Sequence, residues 1–374
     1  MDGNVRLMQG NEACIEGALL AGCRFFAGYP ITPASELAEV SALRMPQVGG
    51  IYIQMEDELA SVNALIGASW GGLKVMTGTS GPGFTLMQEG IGYMALTQTP
   101  GVIVDVMRGG PSTGQPTLSS QQDVYQARYG SHGDYEIIVL APSSAQEALD
   151  LTIRAFVLAE RYATPVIVLS DEIVGHTRER VVLPETLETI SRRKPPEGWD
   201  YKPYEPIAAE GGVPYRACFG EGHNILVDGQ LHDYMGTRKG HDPVASARCV
   251  ENICVKIRNN IDKIADYELY DTEDADKILV AYGSVARTAL RAQRDARATG
   301  MKVGMVRLRT LFPFPDGLFA GLARAARTFF VPEMSLGRMW RDVKLASGRP
   351  VVSLPKIGGE MHTPGEIFHA LEEN

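Results

Sequence analysis

The sequence predicts an α/β fold built on parallel sheets, and three observations point to it. Short β-rich runs alternate with helical stretches through the first half of the chain: CRFFAGYP, GIYIQ, KVMTGTS, GVIVDVM, EIIVLAP and PVIVLSD. These runs are almost continuously apolar, the pattern of strands covered on both faces by helices. The same alternation restarts at Lys277 with KILVAYGS, KVGMVRLRTL, TFFVPEM and PVVSLP, so a second, smaller α/β unit follows the first.

Taken in order, each connecting element has a local reason. Glu58 to Trp70 is Ala-rich and runs into Gly71-Gly72, a helix stopped by glycine. Ser143-Ser144-Ala145-Gln146-Glu147 opens another helix with a serine cap and an acid in its first turn. Between about Leu183 and Asp276 the periodicity fades. KPPEGWDYKPYEP is rich in proline and charge, and ENICVKIRNNIDKI is the one clear helix there. SVARTALRAQRDARATG, closing at Gly300, is the best helix of the second unit. The expected division is therefore a first domain over 1–185, a bridging segment over 186–276 and a C-terminal α/β domain over 277–374.

Composition excludes several classes of function. A 374-residue chain with 44% apolar content can bury two or three cores. The formal net charge of −9 argues against nucleic acid or an anionic membrane as partner. No apolar run reaches the length of a membrane helix and the N-terminus lacks a signal pattern, so a cytoplasmic protein is expected. Cysteines stand at 14, 23, 218, 249 and 254 without a CxxC pair, and none of the 7 histidines forms an HExxH motif. Neither a disulfide framework nor a metal site in this chain is expected.

The stretch from Gly28 to Gly83 holds the densest chemistry. GYPITP, then Glu56-Asp57-Glu58 opening the Ala-rich helix, then Thr79-Ser80-Gly81-Pro82-Gly83 follow successive strands. Open α/β sheets bind ligands at such strand ends. Other readings exist for each motif. Glu58 is favoured at a helix start by the backbone dipole alone, and GTSGPG is compatible with a plain strand-to-helix turn or a phosphate cradle. Neither GxGxxG nor GxxxxGK[ST] is present, so Rossmann and P-loop readings are weak. Arg108 could be an ion pair at a strand end, and Thr32 an ordinary turn residue.

An acid opening an Ala-rich helix, Gly67 nine residues on and the TSGPG turn resemble the pyrimidine-binding domain of thiamine-diphosphate enzymes. YPITP at 29–33, the EDE helix start and RGGPSTGQPT at 108–117 narrow this. Together they resemble the α subunits of 2-oxoacid:ferredoxin oxidoreductases. HGDYEIIVLAP, SDEIVGH, GEGH, VAYGSVARTAL, VPEMSLG and GGEMHTP agree, so the resemblance spans nearly the whole chain. Its closest subfamily is the 2-oxoglutarate type, with the 2-oxoisovalerate type and a non-catalytic scaffold subunit of the same fold as alternatives.

The resemblance implies a pyrimidine-binding-type domain followed by a transketolase-C-terminal-like domain. It implies that Glu58 shares a proton with the aminopyrimidine of thiamine diphosphate, favouring the tautomer that takes up the cofactor's C-2 proton. Tyr29, Pro30, Ile31, Ser80 and Gly81 would wall the cofactor. Thr32 and Arg108 would hold the 2-oxoacid, with Ser112 and Thr113 lining its pocket; a guanidinium grips a carboxylate through two parallel hydrogen bonds. No Gly-Asp-Gly sequence and no cysteine cluster occurs. Mg²⁺, the diphosphate and a 4Fe-4S cluster are thus expected on partner subunits, a β subunit above all, with further γ and δ subunits allowed. The reaction implied is oxidative decarboxylation of 2-oxoglutarate to succinyl-CoA with CoA and ferredoxin, or its reverse.

Overall fold

The computed structural model describes residues 4–185, 187 and 190–374. The expected boundary between 185 and 186 falls at the edge of this range, Thr186 itself lying outside the described residues. Among the described residues, fifteen strands form three sheets: β1 (Val5–Gln9), β2 (Cys23–Gly28), β3 (Ile51–Gln54), β4 (Lys74–Thr79), β5 (Gly101–Gly109), β6 (Gln115–Ser119), β7 (Ile138–Leu140), β8 (Pro165–Asp171), β9 (Arg178–Val182), β10 (Tyr267–Tyr270), β11 (Lys277–Ala281), β12 (Val303–Leu308), β13 (Thr310–Phe312), β14 (Thr328–Glu333) and β15 (Val351–Pro355). The main sheet runs β13-β7-β8-β5-β4-β2-β3, with β6 paired to β5. Its pairs are parallel except β5–β6 and β7–β13. The second sheet runs β10-β12-β11-β14-β15, parallel except for β10.

Alternation along β5 explains why its sequence is apolar throughout. Val102, Val104 and Val106 face one side, where the Gly10–Leu20 and Ala145–Tyr162 helices cover them. Ile103 and Met107 face the other, in a core that continues into the second unit through Val280, Val306, Phe312 and Phe329. The two helices on the first face approach closely because Gly17 has no side chain: a Cβ there would lie 2.6 Å from the Leu149 carbonyl oxygen. Each such side chain buried contributes about 1.5–3 kcal/mol.

Local capping follows the sequence. Ser144 accepts a hydrogen bond from the Glu147 backbone N–H at 3.1 Å, and the Glu58–Trp70 helix ends at Gly71-Gly72, where Gly72 takes φ +98°. Three features depart from the periodicity. KVGMVRLRTL is not one strand: it changes sheet at Arg309, so that β12 lies in the second sheet and β13 completes the edge of the first. The helix expected from Glu251 starts at Pro243, capped by Asp242, and breaks after Arg258. β10 lies within the segment expected to bridge the domains, yet pairs into the second sheet.

Candidate functional site

The ends of β2, β3, β4 and β5 bring the chemistry-bearing residues together. In Glu56-Asp57-Glu58 the three acids do different things. Glu56 is exposed. Asp57 caps the helix, its Oδ1 accepting from the Ala60 N–H at 2.7 Å. Glu58 is therefore not needed as the cap, and its side chain turns inward to 4% exposure. There it meets the turn after β4: the Thr79 hydroxyl donates to Glu58 Oε1 across 3.5 Å, a long and weak contact. Burial pushes the Glu58 carboxyl above its ordinary pKa, against the lowering pull of its own backbone N–H, the Thr79 hydroxyl and Arg108.

Gly83 makes this arrangement possible. A Cβ at that position would sit 2.1 Å from Glu58 Oε1 and 2.3 Å from Thr79 Oγ1, so no other residue fits without moving the acid. Ser80, just before the Gly81–Leu86 helix, is buried with its Oγ unpartnered.

Arg108, near the end of β5, is 6% exposed and donates from Nη1 to the Thr32 carbonyl oxygen at 2.6 Å. The contact uses the Thr32 backbone and leaves its side chain, which is exposed, available to a ligand. Arg108 Nε is buried without a partner. A guanidinium held at one nitrogen and uncommitted at others is a receptor for an anion. Beside it opens a cleft of about 390 Å³ lined by Gly81, Pro82, Arg108, Ser112 and Asp123, among others.

The other expected residues lie around this centre in differing relation to it. Gly81 and Ser112 line the cleft. Ser112 takes φ +60° in the turn where Gly114 takes φ +55°. Thr113 is exposed in the same turn and is not one of the cleft's lining residues. Tyr29 and Pro30 are exposed and Ile31 half-buried on the turn that carries Thr32. Tyr29, Ile53, Leu59 and Leu86 form exposed large apolar side chains on the elements that carry the site.

Two residues were not anticipated. Asp105, within β5, is fully buried and accepts from the Gly81 N–H at 3.2 Å. Asp123, after β6, lines the cleft, and the Oδ2 atom of each acid is buried without a described hydrogen-bond partner. An acid inside GVIVDVM was the available signal, since a strand buried on both faces does not carry a carboxyl without a partner or a proton. Among the described residues no group of three or more His, Cys, Asp and Glu could hold a metal ion, and no helix is long and apolar enough to cross a membrane.

Residues 16–236 match the family model described as pyruvate flavodoxin/ferredoxin oxidoreductase, thiamine diphosphate-binding. Residues 275–367 match pyruvate:ferredoxin oxidoreductase core domain II. The 2-oxoglutarate synthase subunit KorA of Methanocaldococcus jannaschii is 51% identical over 369 residues, covering 98% of this chain and 99% of its own. The ketoisovalerate oxidoreductase subunit VorB of Methanothermobacter marburgensis is 38% identical over 373 residues, covering 98% and 97%. Among solved structures, 2-oxoglutarate:ferredoxin oxidoreductase from Magnetococcus marinus, with 2-oxoglutarate, coenzyme A and succinyl-CoA bound, superposes with a TM-score of 0.94 at 32% identity. That match covers 99% of this chain and 65% of the other. A split-gene transketolase shares the fold at TM-score 0.58 and 14% identity.

Proposed function

The chain belongs to the 2-oxoacid:ferredoxin oxidoreductase family, and from that premise we propose that it is the α-type subunit of a 2-oxoglutarate:ferredoxin oxidoreductase. It supplies the aminopyrimidine side and the 2-oxoacid side of a thiamine-diphosphate site, which works only with its partner subunit. The observation that carries this reading is the convergence of Glu58, Thr32 and Arg108 at neighbouring strand ends of the first sheet: Arg108 bonds the Thr32 carbonyl and its charge reaches Glu58, the acid is buried and weakly engaged, and the arginine is uncommitted at Nε. The 2-oxoglutarate type is favoured over the branched-chain type by 51% against 38% identity over nearly the full chain.

The residues present fit thiamine diphosphate. Glu58 has almost no exposure yet only one weak described side-chain donor, and the bare Cα of Gly83 leaves room against its Oε1. When bound, the cofactor supplies the carbon nucleophile that attacks the 2-oxo group. Glu58 holds a proton at Oε1 or Oε2 for the aminopyrimidine nitrogen, and its raised pKa keeps that proton available. Arg108 orients the substrate carboxylate through Nε and its remaining amino group, and Thr32 donates from its hydroxyl. Positioning matters more here than tight ground-state binding, because the carboxylate Arg108 holds is the one that leaves.

The diphosphate and Mg²⁺ are assigned to a β subunit, as is the 4Fe-4S cluster that passes electrons to ferredoxin. The apolar rim of Tyr29, Ile53, Leu59 and Leu86 is the surface such a subunit would cover. Arg108 is the one cation among the cleft's lining residues. The distal carboxylate of 2-oxoglutarate must then find its cation on the partner, since burying it unpaired is prohibitive. The test is acyl-CoA formation by the purified complex from 2-oxoglutarate, pyruvate and 2-oxoisovalerate. Preference for 2-oxoglutarate is expected; preference for the branched substrate would move the chain to the other subfamily.

A further inference from the structure

His176 closes the SDEIVGH motif, and the reaction as derived above does not use it. Its place follows from two glycines. The Glu172–His176 helix lies against the start of the Gly10–Leu20 helix, where a Cβ at Gly10 would meet the Val174 carbonyl oxygen at 2.1 Å and one at Gly175 would meet Asn11 Oδ1 at 2.9 Å. This close approach brings Asn11, which is buried, and His176 to the same two acceptors, the Pro33 carbonyl oxygen and Glu36 Oε2. Asn11 Nδ2 lies 2.9 Å from the first and 3.0 Å from the second. His176 Nε2 lies 3.1 Å and 3.4 Å from them. Pro33 directly follows Thr32, whose own carbonyl oxygen accepts from Arg108 Nη1. Successive carbonyls of one turn are thus held, the first by Arg108 and the second by Asn11 and His176.

We propose that His176, as an imidazolium assisted by Asn11, is a positioning residue that fixes the turn carrying Thr32, so that the Thr32 hydroxyl and Arg108 meet the 2-oxoacid together. The proposal rests on the reading of Thr32 and Arg108 as the substrate's anchors. The charge of the ring follows from its partners. Nδ1 stands 3.0 Å from Glu172 Oε1, and Nε2 faces the Pro33 carbonyl and Glu36. A carbonyl and an ionised carboxylate only accept, so both nitrogens must carry a proton for both bonds to form. The neutral ring has one proton. Whichever nitrogen keeps it, the link from Glu172 to the turn is broken. The Glu172 hydrogen bond, then the Glu36 charge and the Pro33 carbonyl, hold the ring's pKa above the ordinary histidine value, against the lowering effect of burial.

The other charged groups on the neighbouring elements are engaged elsewhere. Asp171, at the start of the same helix, accepts from the Val174 and Ser284 N–H groups. On the Gly10–Leu20 helix, Glu12 accepts from the Gln9 N–H and pairs with Arg178 of β9, while Glu16 pairs with Arg44. Glu147, from the Ala145–Tyr162 helix, pairs with Arg307 and Arg309. Arg108 on β5 is bonded to the turn itself.

A turn held by a titrating bridge makes the substrate end pH-dependent. As pH rises through the ring's raised pKa, one bond of the bridge is lost. The efficiency kcat/KM for 2-oxoglutarate should then fall about tenfold, the scale of one charge-assisted hydrogen bond. A merely structural histidine would change the yield of assembled complex and leave the pH profile of that complex as it is.

The experiment measures kcat/KM for 2-oxoglutarate from about pH 6 to about pH 9 in assembled complexes, each variant taken as a ratio to wild type at the same pH so that other titrating groups cancel. His176→Phe has no donor, so the wild type should exceed it about tenfold at the acid end and match it at the alkaline end. His176→Gln presents an amide N–H at every pH and should recover most of the loss at the acid end. Glu172→Gln leaves an acceptor for Nδ1 without its charge and should move the fall to lower pH; this variant decides the matter if those at His176 do not assemble. A wild-type advantage over His176→Phe that is flat with pH, a His176→Gln no better than His176→Phe, or an unmoved fall in Glu172→Gln would each overturn the proposal and leave the substrate assignment intact. No turnover of 2-oxoglutarate by the wild-type complex would instead overturn the proposed function, and this inference with it.

Discussion

Two buried glutamates, one after a strand of each sheet, show how differently the same side chain can be used. Glu333 ends β14 at 0% exposure and accepts from the Tyr282 hydroxyl at 2.6 Å, the Ser335 hydroxyl at 2.9 Å and the Arg338 backbone N–H. Glu58, at 4% exposure, has one described hydrogen bond to another residue, the 3.5 Å contact from Thr79, beside the pull of its own backbone N–H. Burial raises both carboxyls. The first is a structural group whose lone pairs are used inside the fold. The second lies nearer the protein's edge, has little solvent exposure and lacks comparable hydrogen-bond compensation, as a group held for a ligand would. The contrast extends to the sheets. Strand ends of the first sheet face a cleft, whereas those of the second turn inward to join the two units: Ser284 N–H donates to Asp171 at 2.7 Å, and Gln121 bridges Tyr282 and Met334.

If Glu58 is held for a ligand, anything that displaces it should cost activity out of proportion to stability. Gly83→Ala is the largest such effect, because the new methyl group would occupy the space of Glu58 Oε1. Cofactor activation, followed as deuterium exchange at the cofactor C-2 position in the complex, should fall on the order of 10²-fold, the scale of a misplaced catalytic group. Retention of full exchange would mean that the acid does not matter where it now stands.

Arg108→Lys sharpens the same contrast at the substrate end. Lysine keeps the charge but loses the planar fork, so kcat/KM for 2-oxoglutarate should drop about 10-fold or somewhat more. CoA affinity should be unchanged. Near-normal steady-state kinetics would return Arg108 to the role of a strand-end cation.

On the structural side of the comparison the effect is smaller and falls on stability. Burial pushes Asp171 up to about 6, against hydrogen bonds from Ser284 and Val174. The folded chain therefore keeps this proton to about pH 6, whereas the unfolded chain releases it near pH 4. Between those values the folded state binds more protons, so this group's stabilising contribution is complete below about pH 4 and is lost as pH climbs through about 6. The change amounts to roughly 2–3 kcal/mol. Urea unfolding at successive pH values should show Asp171→Asn lacking this slope, with C-2 exchange per folded molecule unaltered.

How much of this was legible in the sequence follows from what each signal reports. Parallel strands buried on both faces appear as continuous apolar runs, so β2, β4, β5, β7 and β8 stood out, and the edge strand β3 stood out for its apolar residues although Ile51 and Ile53 are exposed. β1 and β9 pair only with each other, at the margin of the fold, and carry charged residues in exposed positions, so no such run marks them. Periodicity also says nothing about which sheet a strand joins. Hence the change of sheet at Arg309 was invisible in KVGMVRLRTL. In the site, Thr32, Glu58 and Arg108 lie in strand-end motifs and could be named one by one. Asp105 and Asp123 could not, because their burial beside the Gly81 turn and the cleft appears only in the folded chain, although the acid within GVIVDVM was a visible anomaly. The separate tasks of Asp57 and Glu58 likewise needed the cap geometry.

The central claim is that Glu58 is held for the cofactor whereas Glu333 is held by the protein. Deuterium exchange at the cofactor C-2 position, measured side by side in assembled complexes carrying Glu58→Gln or Glu333→Gln, addresses it most directly. Glu58→Gln should slow exchange on the order of 10²-fold or more with assembly intact, since the amide has nearly the same shape but cannot carry the proton. Glu333→Gln should lose about 1–3 kcal/mol of stability, because its amide faces donors where an acceptor stood, yet exchange at the wild-type rate. Wild-type exchange in Glu58→Gln, or equal slowing in both variants, would contradict the account.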